Sequence, residues 1–190
     1  MASSFDFLEL PSYEVAPRLL GCVLERQHED QVLSGRIVET EAYDRTDAAS
    51  HSYKGQTSRT EVMFGPAGHL YVYFTYGMHY CCNVVTGPKG QGAAVLIRAL
   101  EPLTGTNIMS ANRHGQTGTT MTNGPAKLCQ ALMIDKKLNG VGLRDGAVRL
   151  IIKPAVPSED IVQTTRIGIS QAQDVPWRFY LKDNPYVSKQ

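Results

Sequence analysis

The chain has 190 residues, 42% of them hydrophobic, and a formal net charge of +1. This length and apolar content suit one compact domain with a sizeable core, and we expect residues 1–190 to form it. No apolar run approaches the roughly 18 residues of a membrane span, and the N-terminus lacks the pattern of a secretory signal. The composition argues against a membrane or secreted protein and predicts a soluble protein of the cytoplasm or nucleoid.

Charge is unevenly distributed along the chain. Residues 1–50 carry a net charge of −6, residues 51–112 carry +2 and residues 113–190 carry +5. The basic C-terminal third is a candidate for contact with a phosphate backbone. Ordinary solvated surface charges would give the same count, so charge alone leaves both interpretations open.

The first quarter of the chain predicts a short helix followed by a hairpin. Residues 12–20 fit a helix, with Ser12 as its N-cap and Gly21 as its end. The runs CVLER and SGRIVETEAY have the pattern of strands, with a polar turn at residues 28–30 between them.

The middle of the chain predicts a loop and then an antiparallel sheet. Residues 44–60 are polar, and Ser58 with Glu61 fits a capping box before a short helix that ends at Gly65 and Pro66. Three β-rich runs follow at hairpin spacing: HLYVYFTY, YCCNVVT and AAVLIRAL.

The last part of the chain predicts one helix and three more strands. Residues 113–123 are rich in Gly and Thr and are expected to be mobile, and Pro125 is suited to start the helix PAKLCQALM. The strands expected here are VRLIIK, TTRIGIS and RFYLK. Hairpin strands with unevenly placed helices indicate the α+β class.

Metal-ligating residue types occur without a metal-ligand spacing. The four cysteines contain no CxxC pair and are expected to be reduced thiols; they are Cys22, Cys81, Cys82 and Cys129. The histidines near the tyrosine-rich segment match no pattern such as HExxH; they are His51, His69 and His79. We therefore expect no metal.

Two carboxylates and one arginine are candidates for chemistry. Glu39, Glu41 and Tyr43 alternate along one predicted strand and share a face, as an acid/base site or a solvent-facing strand would have them. Arg98 is the one charge in AAVLIRAL. A buried guanidinium needs a partner such as Glu41 or Glu39, in a functional or a structural ion pair. An arginine that reaches solvent from the strand edge is the remaining alternative.

A tyrosine-rich segment follows, with Tyr71, Tyr73, Tyr76 and Tyr80 close together. Flat rings with hydroxyl groups suit the walls of a purine site. By alternation, Tyr71 and Tyr73 face one way and Tyr76 the other. A tyrosine-rich strand that packs a core is the alternative.

Taken in order, these motifs resemble one known family. They are LLG, GRIVETEAY, ASHS, MF, PAGHLYVYFTYGMHYCCN, LIRALEP, GPAKLCQAL and RFY. From about Leu19 to near the C-terminus, the set is similar to the alkyladenine (3-methyladenine) DNA glycosylase family, and it is more specific than any single motif.

The resemblance implies a monofunctional glycosylase of base excision repair that uses water and neither metal nor cofactor. It also implies a single α+β domain around a curved antiparallel sheet with flanking short helices. The expected partner is double-stranded DNA containing damaged purines, to which a monomer binds, in association with the nucleoid. The lesions implied are 3-methyladenine, 7-methylguanine, hypoxanthine and ethenoadenine.

The family's functional residues carry over onto matching positions. Glu41 corresponds to the general base, and Arg98 to the side chain that helps to hold the attacking water. Asn83 corresponds to the residue that screens against normal guanine. Tyr76 corresponds to the wedge that fills the gap in the duplex, and the neighbouring Met78 is expected to contact DNA. The base-pocket walls correspond to Tyr43, His51 and Tyr73.

The chain departs from the longer family pattern in a short N-terminal end and in the Gly/Thr-rich connection at residues 115–123, which leaves DNA contacts there open.

Two other functions also fit some of the residues. A non-catalytic nucleic-acid binding module would stack bases on tyrosines but would need neither Glu41 nor Arg98. A hydrolase of small sugars or nucleosides would use Glu39 and Glu41, and would need neither a wedge nor a basic surface.

Overall fold

The computed structural model describes residues 5–75 and 77–188. In these residues one antiparallel sheet contains β1 (Val23–His28), β2 (Gln31–Tyr43), β3 (Leu70–Thr75), β4 (His79–Thr86), β5 (Ala93–Thr104), β6 (Val148–Ile151), β7 (Ile161–Thr164) and β8 (Arg178–Leu181). The α-helices are α1 (Ser12–Leu19), α2 (Thr106–Asn112) and α3 (Pro125–Ala131). None of the helices described has the length and hydropathy needed to span a lipid bilayer. The α+β class is confirmed.

Strand β2 lies inside the sheet, in which neighbouring strands follow the order β3-β4-β5-β2-β1-β6. One edge of β2 pairs with β5, with register shifts between Ser34 and Thr40 that mark bulges. Its other edge pairs first with β1 and then, at residues 39–41, with β8, which also pairs with β7. Because bulges bend a strand, the sheet is curled rather than flat.

The two faces of β2 have different neighbours because its side chains alternate. Val38, Thr40 and Ala42 face the main core, where the hydroxyl of Thr40 donates a hydrogen bond to the carbonyl oxygen of Ala16 in α1 at 2.9 Å. Helix α3 packs on the same side, against β4 and β5. The opposite face therefore carries Glu39 and Glu41, as the alternation predicts.

Both predicted side-chain caps are wrong. Helix α1 has Pro11 at its N-cap, and Ser12 is its first residue and is buried. The 3₁₀ helix Glu61–Phe64 begins after Thr60 without a side-chain cap. Thr57 and Thr60 instead bond to each other. The backbone N–H of Thr57 donates to the hydroxyl of Thr60 at 2.9 Å, and the backbone N–H of Thr60 donates to the hydroxyl of Thr57 at 3.3 Å.

The predicted strand TTRIGIS is also wrong, since only Thr164 of this run lies in β7. The chain leaves the sheet because Arg166 turns inward to an ion pair with Asp47, and Gly168 then takes a positive φ of 74°. Tertiary contacts override the β-propensity of this segment.

Candidate active site

The register of the sheet places side chains from five strands in one row. Tyr71 pairs with Asn83, Asn83 with Leu96, Leu96 with Glu41, and Glu41 with Arg178. Directly opposed residues of antiparallel strands project from the same face. Segments far apart in sequence therefore contribute to one surface, opposite the main core.

A cavity of about 490 Å³ lies on this face, within the usual size range of small-molecule sites. Five of the residues predicted for the site line it, namely Tyr43, His51, Tyr73, Asn83 and Arg98. Glu41 has no exposed surface and contacts two of these lining residues. The residues that sequence analysis selected as catalytic and base-binding are thus brought together.

The carboxylate of Glu41 is held by three partners. The hydroxyl of Tyr43 donates to Oε2 at 2.8 Å, and the backbone N–H of Ile167 donates to Oε1 at 2.8 Å. Nη1 of Arg98 lies 3.3 Å from Oε1. Burial, and to a smaller extent the charge of Glu41, raises the pKa of Tyr43. The Tyr43 hydroxyl therefore stays protonated and can donate to Glu41. Such a set of donors suits an ionised carboxylate.

Glu39 has a different environment, in which both oxygens are occupied. Nε of Arg98 and Nε of Arg178 lie 3.1 and 2.7 Å from Oε1. The backbone N–H of Ser188 donates to Oε2 at 2.7 Å, and its hydroxyl donates to Oε1 at 3.0 Å. These contacts indicate that Glu39 fixes Arg98 from behind, while Glu41 lies next to the lining of the cavity.

Arg98 therefore bridges two buried carboxylates. Burial alone would lower its pKa, but the charges of Glu41 and Glu39 outweigh that effect, so the pKa is raised and the guanidinium remains charged. The predicted pairing of Arg98 with these carboxylates is confirmed.

The aromatic residues form a wall of uncharged rings. Nδ1 of His51 lies 3.1 Å from the hydroxyl oxygen of Tyr71, and the ring of His51 meets that of Tyr73 edge to face, with centroids 4.6 Å apart. Partial burial, followed by the charge of Arg59, lowers the pKa of His51 to about 4. Burial raises the pKa of Tyr73. At neutral pH this wall presents neutral aromatic surfaces.

Asn83 is buried in β4 and lines the cavity. Its Nδ2 donates to the backbone oxygen of Tyr71 at 3.0 Å, across the β3–β4 pair. This bond orients the side-chain amide, so a molecule in the cavity would meet a group that is held in place.

The structure describes one of the two residues that are predicted to contact DNA. Met78 lies in the turn between β3 and β4 with 71% of its surface exposed, and it is not part of the cavity lining. Tyr76 lies outside the described residues.

No pattern in the sequence indicated a role for residues 167–171, which form one side of the cavity. Ile167 contributes its backbone N–H to Glu41, and no side-chain pattern marks such a role. Cys81 and Met63 also line the cavity, and only their place in otherwise apolar runs of the sequence could have suggested them.

The four cysteines are free, and each of them is buried. Burial raises the pKa of the Cys81 thiol in the cavity to about 11, so it is protonated at neutral pH. Over residues 5–75 and 77–188, no three His, Cys, Asp or Glu side chains are grouped so that they can hold a metal ion.

Comparison with known proteins identifies the family. The profile of the methylpurine-DNA glycosylase family matches residues 6–185. A protein of Carboxydothermus hydrogenoformans is 57% identical over 176 residues, which cover 92% of each chain. Proteins of Methanoculleus marisnigri and Francisella tularensis are 53% and 49% identical, over 96% of each chain. All three carry the provisional name 3-methyladenine DNA glycosylase. The chain belongs to the methylpurine-DNA glycosylase family and is a DNA N-glycosylase.

Proposed function

We propose that this protein is a monofunctional enzyme of base excision repair that flips a damaged purine from duplex DNA into the 490 Å³ cavity. It then hydrolyses the N-glycosidic bond with a water molecule activated by Glu41. The observation that carries this proposal is a donor-held carboxylate beside a cavity with neutral aromatic walls. Residues 1–190 act as one monomeric domain in the cytoplasm, bound to the nucleoid when engaged on DNA.

In the proposed reaction, water oxygen bonds to C1′ of the deoxyribose while the bond from C1′ to the purine nitrogen breaks. The electron pair of that bond leaves with the base, and the water proton passes to Glu41. The negative carboxylate also stabilises the positive charge that develops on the sugar. Arg98, held between Glu39 and Glu41, offers a donor to the attacking water.

The cavity walls supply the selection of the base. Alkylation at N3 or N7 makes a purine cationic, which strengthens its contact with the faces of aromatic rings and makes it a better leaving group. The neutral ring of His51 adds no repulsion toward such a base. The substrates proposed are 3-methyladenine, 7-methylguanine, hypoxanthine and ethenoadenine.

The proposal is tested by incubating the protein with duplexes that each carry one of these lesions, and by measuring free base and abasic sites. Release of free base from duplex DNA but not from the corresponding free nucleoside is expected. Release from the nucleoside alone would favour a small-molecule hydrolase. Tight binding of the duplex without release of base would favour a binding module.

Asn83→Ala is expected to relax the selection against normal guanine, because it removes a fixed amide from the cavity wall. The excision of undamaged guanine should rise relative to that of hypoxanthine, measured on matched duplexes under single-turnover conditions. An unchanged ratio in a normally folded variant would remove Asn83 from the account of selectivity.

Tyr76→Ala is expected to reduce excision from duplexes more than from single strands. The proposed task of Tyr76 is to fill the space that a flipped base vacates, and a single strand has no stack to fill. The check is the ratio of single-turnover rates on a duplex and a single strand of the same sequence. Equal losses on both substrates would assign Tyr76 to packing instead.

A further inference from the structure

We propose that Arg166 and Asp47 form a clamp that positions the carboxylate of Glu41 for its reaction. Both are positioning residues, since neither is part of the cavity lining. The inference rests on the proposed function, in which Glu41 activates water, and it adds the device that orients Glu41.

The clamp is a buried, two-point ion pair. Nη2 of Arg166 donates to Oδ1 of Asp47 at 3.0 Å, and Nη1 contacts the other oxygen, Oδ2. Nη1 also donates to the backbone oxygen of Ala42 at 2.9 Å. The side chains of Arg166 and Asp47 are 0% and 2% exposed. Because a buried ion pair is stable only with good geometry, these contacts hold Arg166 in one orientation.

From this orientation, Arg166 controls the two uncharged donors to Glu41. Its guanidinium lies 4.8 Å from the centroid of the Tyr43 ring, and the hydroxyl of Tyr43 donates to Oε2 of Glu41. The residue that follows it in the chain, Ile167, donates its backbone N–H to Oε1. The guanidinium of Arg166 is thus coupled to both of these donors, one of which bonds to each oxygen of the Glu41 carboxylate.

The segment that carries Arg166 has no strand pairing of its own to hold it. Strand β7 ends at Thr164, and residues 167–171 form one side of the cavity. The ion pair with Asp47 joins this segment to the loop that follows β2, and the contact with Ala42 joins it to β2 itself. Loosening the clamp would therefore shift the N–H of Ile167, and small displacements of a reacting group reduce rates strongly.

The test compares Arg166→Lys and Asp47→Asn with wild type, each studied below its own thermal transition. Arg166→Lys keeps the charge but loses the two-point contact and the stacking on Tyr43. Asp47→Asn keeps the size of the side chain but removes its charge. The matched control is Arg149→Lys, in the partly exposed ion pair with Glu25 that joins β1 and β6 away from the cavity.

The readouts are the single-turnover rate of hypoxanthine release from saturating duplex, and the Kd of that duplex. We expect the rate to fall by about 10- to 100-fold in both clamp variants, by the sensitivity of catalysis to misplacement, with Kd unchanged. Arg149→Lys should match wild type in both measurements.

Wild-type rates in the clamp variants would overturn the proposal. A loss confined to Kd would also overturn it, because it would indicate that these residues only support the cavity wall. If Arg166→Lys does not fold, Asp47→Asn decides the outcome. Glu41→Gln separates this inference from the proposed function. Full activity of Glu41→Gln would refute the role of Glu41 and the clamp with it, whereas an inactive Glu41→Gln beside fully active clamp variants would refute the clamp alone.

Discussion

Glu41→Gln is expected to slow the release of damaged bases by at least the roughly 10²- to 10⁴-fold typical of a lost general base. The amide keeps the shape of the side chain but loses its charge and its basicity. The contact with Arg98 and the aromatic lining of the cavity remain, so the affinity for lesion duplexes should be retained. Single-turnover excision and duplex binding, measured in parallel, check both statements.

The matched control for Glu41→Gln is Glu101→Gln, in a partly exposed ion pair with Arg36. This control should retain the wild-type rate, and the thermal transitions of both variants must be compared with that of wild type. Glu39→Gln supplies a second comparison. If Glu39→Gln is inactive while Glu41→Gln reacts at nearly the wild-type rate, the two carboxylates have been assigned the wrong way round.

Arg98→Met is expected to lower the free energy of unfolding by about 3–5 kcal/mol, the usual cost of removing one partner from a buried ion pair. A loss of this size is expected because Arg98 forms ion pairs with both Glu39 and Glu41, whose side chains are 0% exposed. Methionine has a similar length but leaves Glu41 without its cationic partner. Urea denaturation followed by circular dichroism measures the loss.

Arg36→Met is the control for this stability measurement, since it also removes an arginine from an ion pair with a glutamate. The side chain of Arg36 is 42% exposed, so the change should cost no more than about 1 kcal/mol. Equal losses in the two variants would mean that Arg98 contributes no more than a surface pair. Arg98→Lys, which retains the charge, should recover part of the stability.

Most of the sheet, and the pairing of Arg98 with Glu39 and Glu41, could be predicted from sequence because the responsible signals are local. Alternation along ETEAY places Glu39 and Glu41 on one face, and the structure shows both of them in contact with Arg98. The apolar setting of Arg98 predicted a carboxylate partner in the same way. The hairpin spacing of the three central runs correctly predicted β3, β4 and β5.

The remaining contacts depend on tertiary structure that no local pattern records. The run TTRIGIS has the composition of a strand, but Arg166 leaves the sheet because Asp47 lies within reach in the folded protein. The donor from Ile167 is a backbone group, which is the same in every residue except proline. The role of Tyr76 at the duplex stays a prediction from sequence.

The contacts of the two carboxylates also join segments that are far apart in the sequence. Glu39 is bonded to residues 59, 139 and 149 positions further along the chain, and Glu41 to a residue 126 positions away. Contacts of such high sequence separation require closure of long loops, which makes them slow to form relative to local hairpins. A chain that has formed only the β3–β4–β5 meander has no oriented carboxylate. The orientation of Glu39 and Glu41 is therefore a property of the complete sheet rather than of any single hairpin.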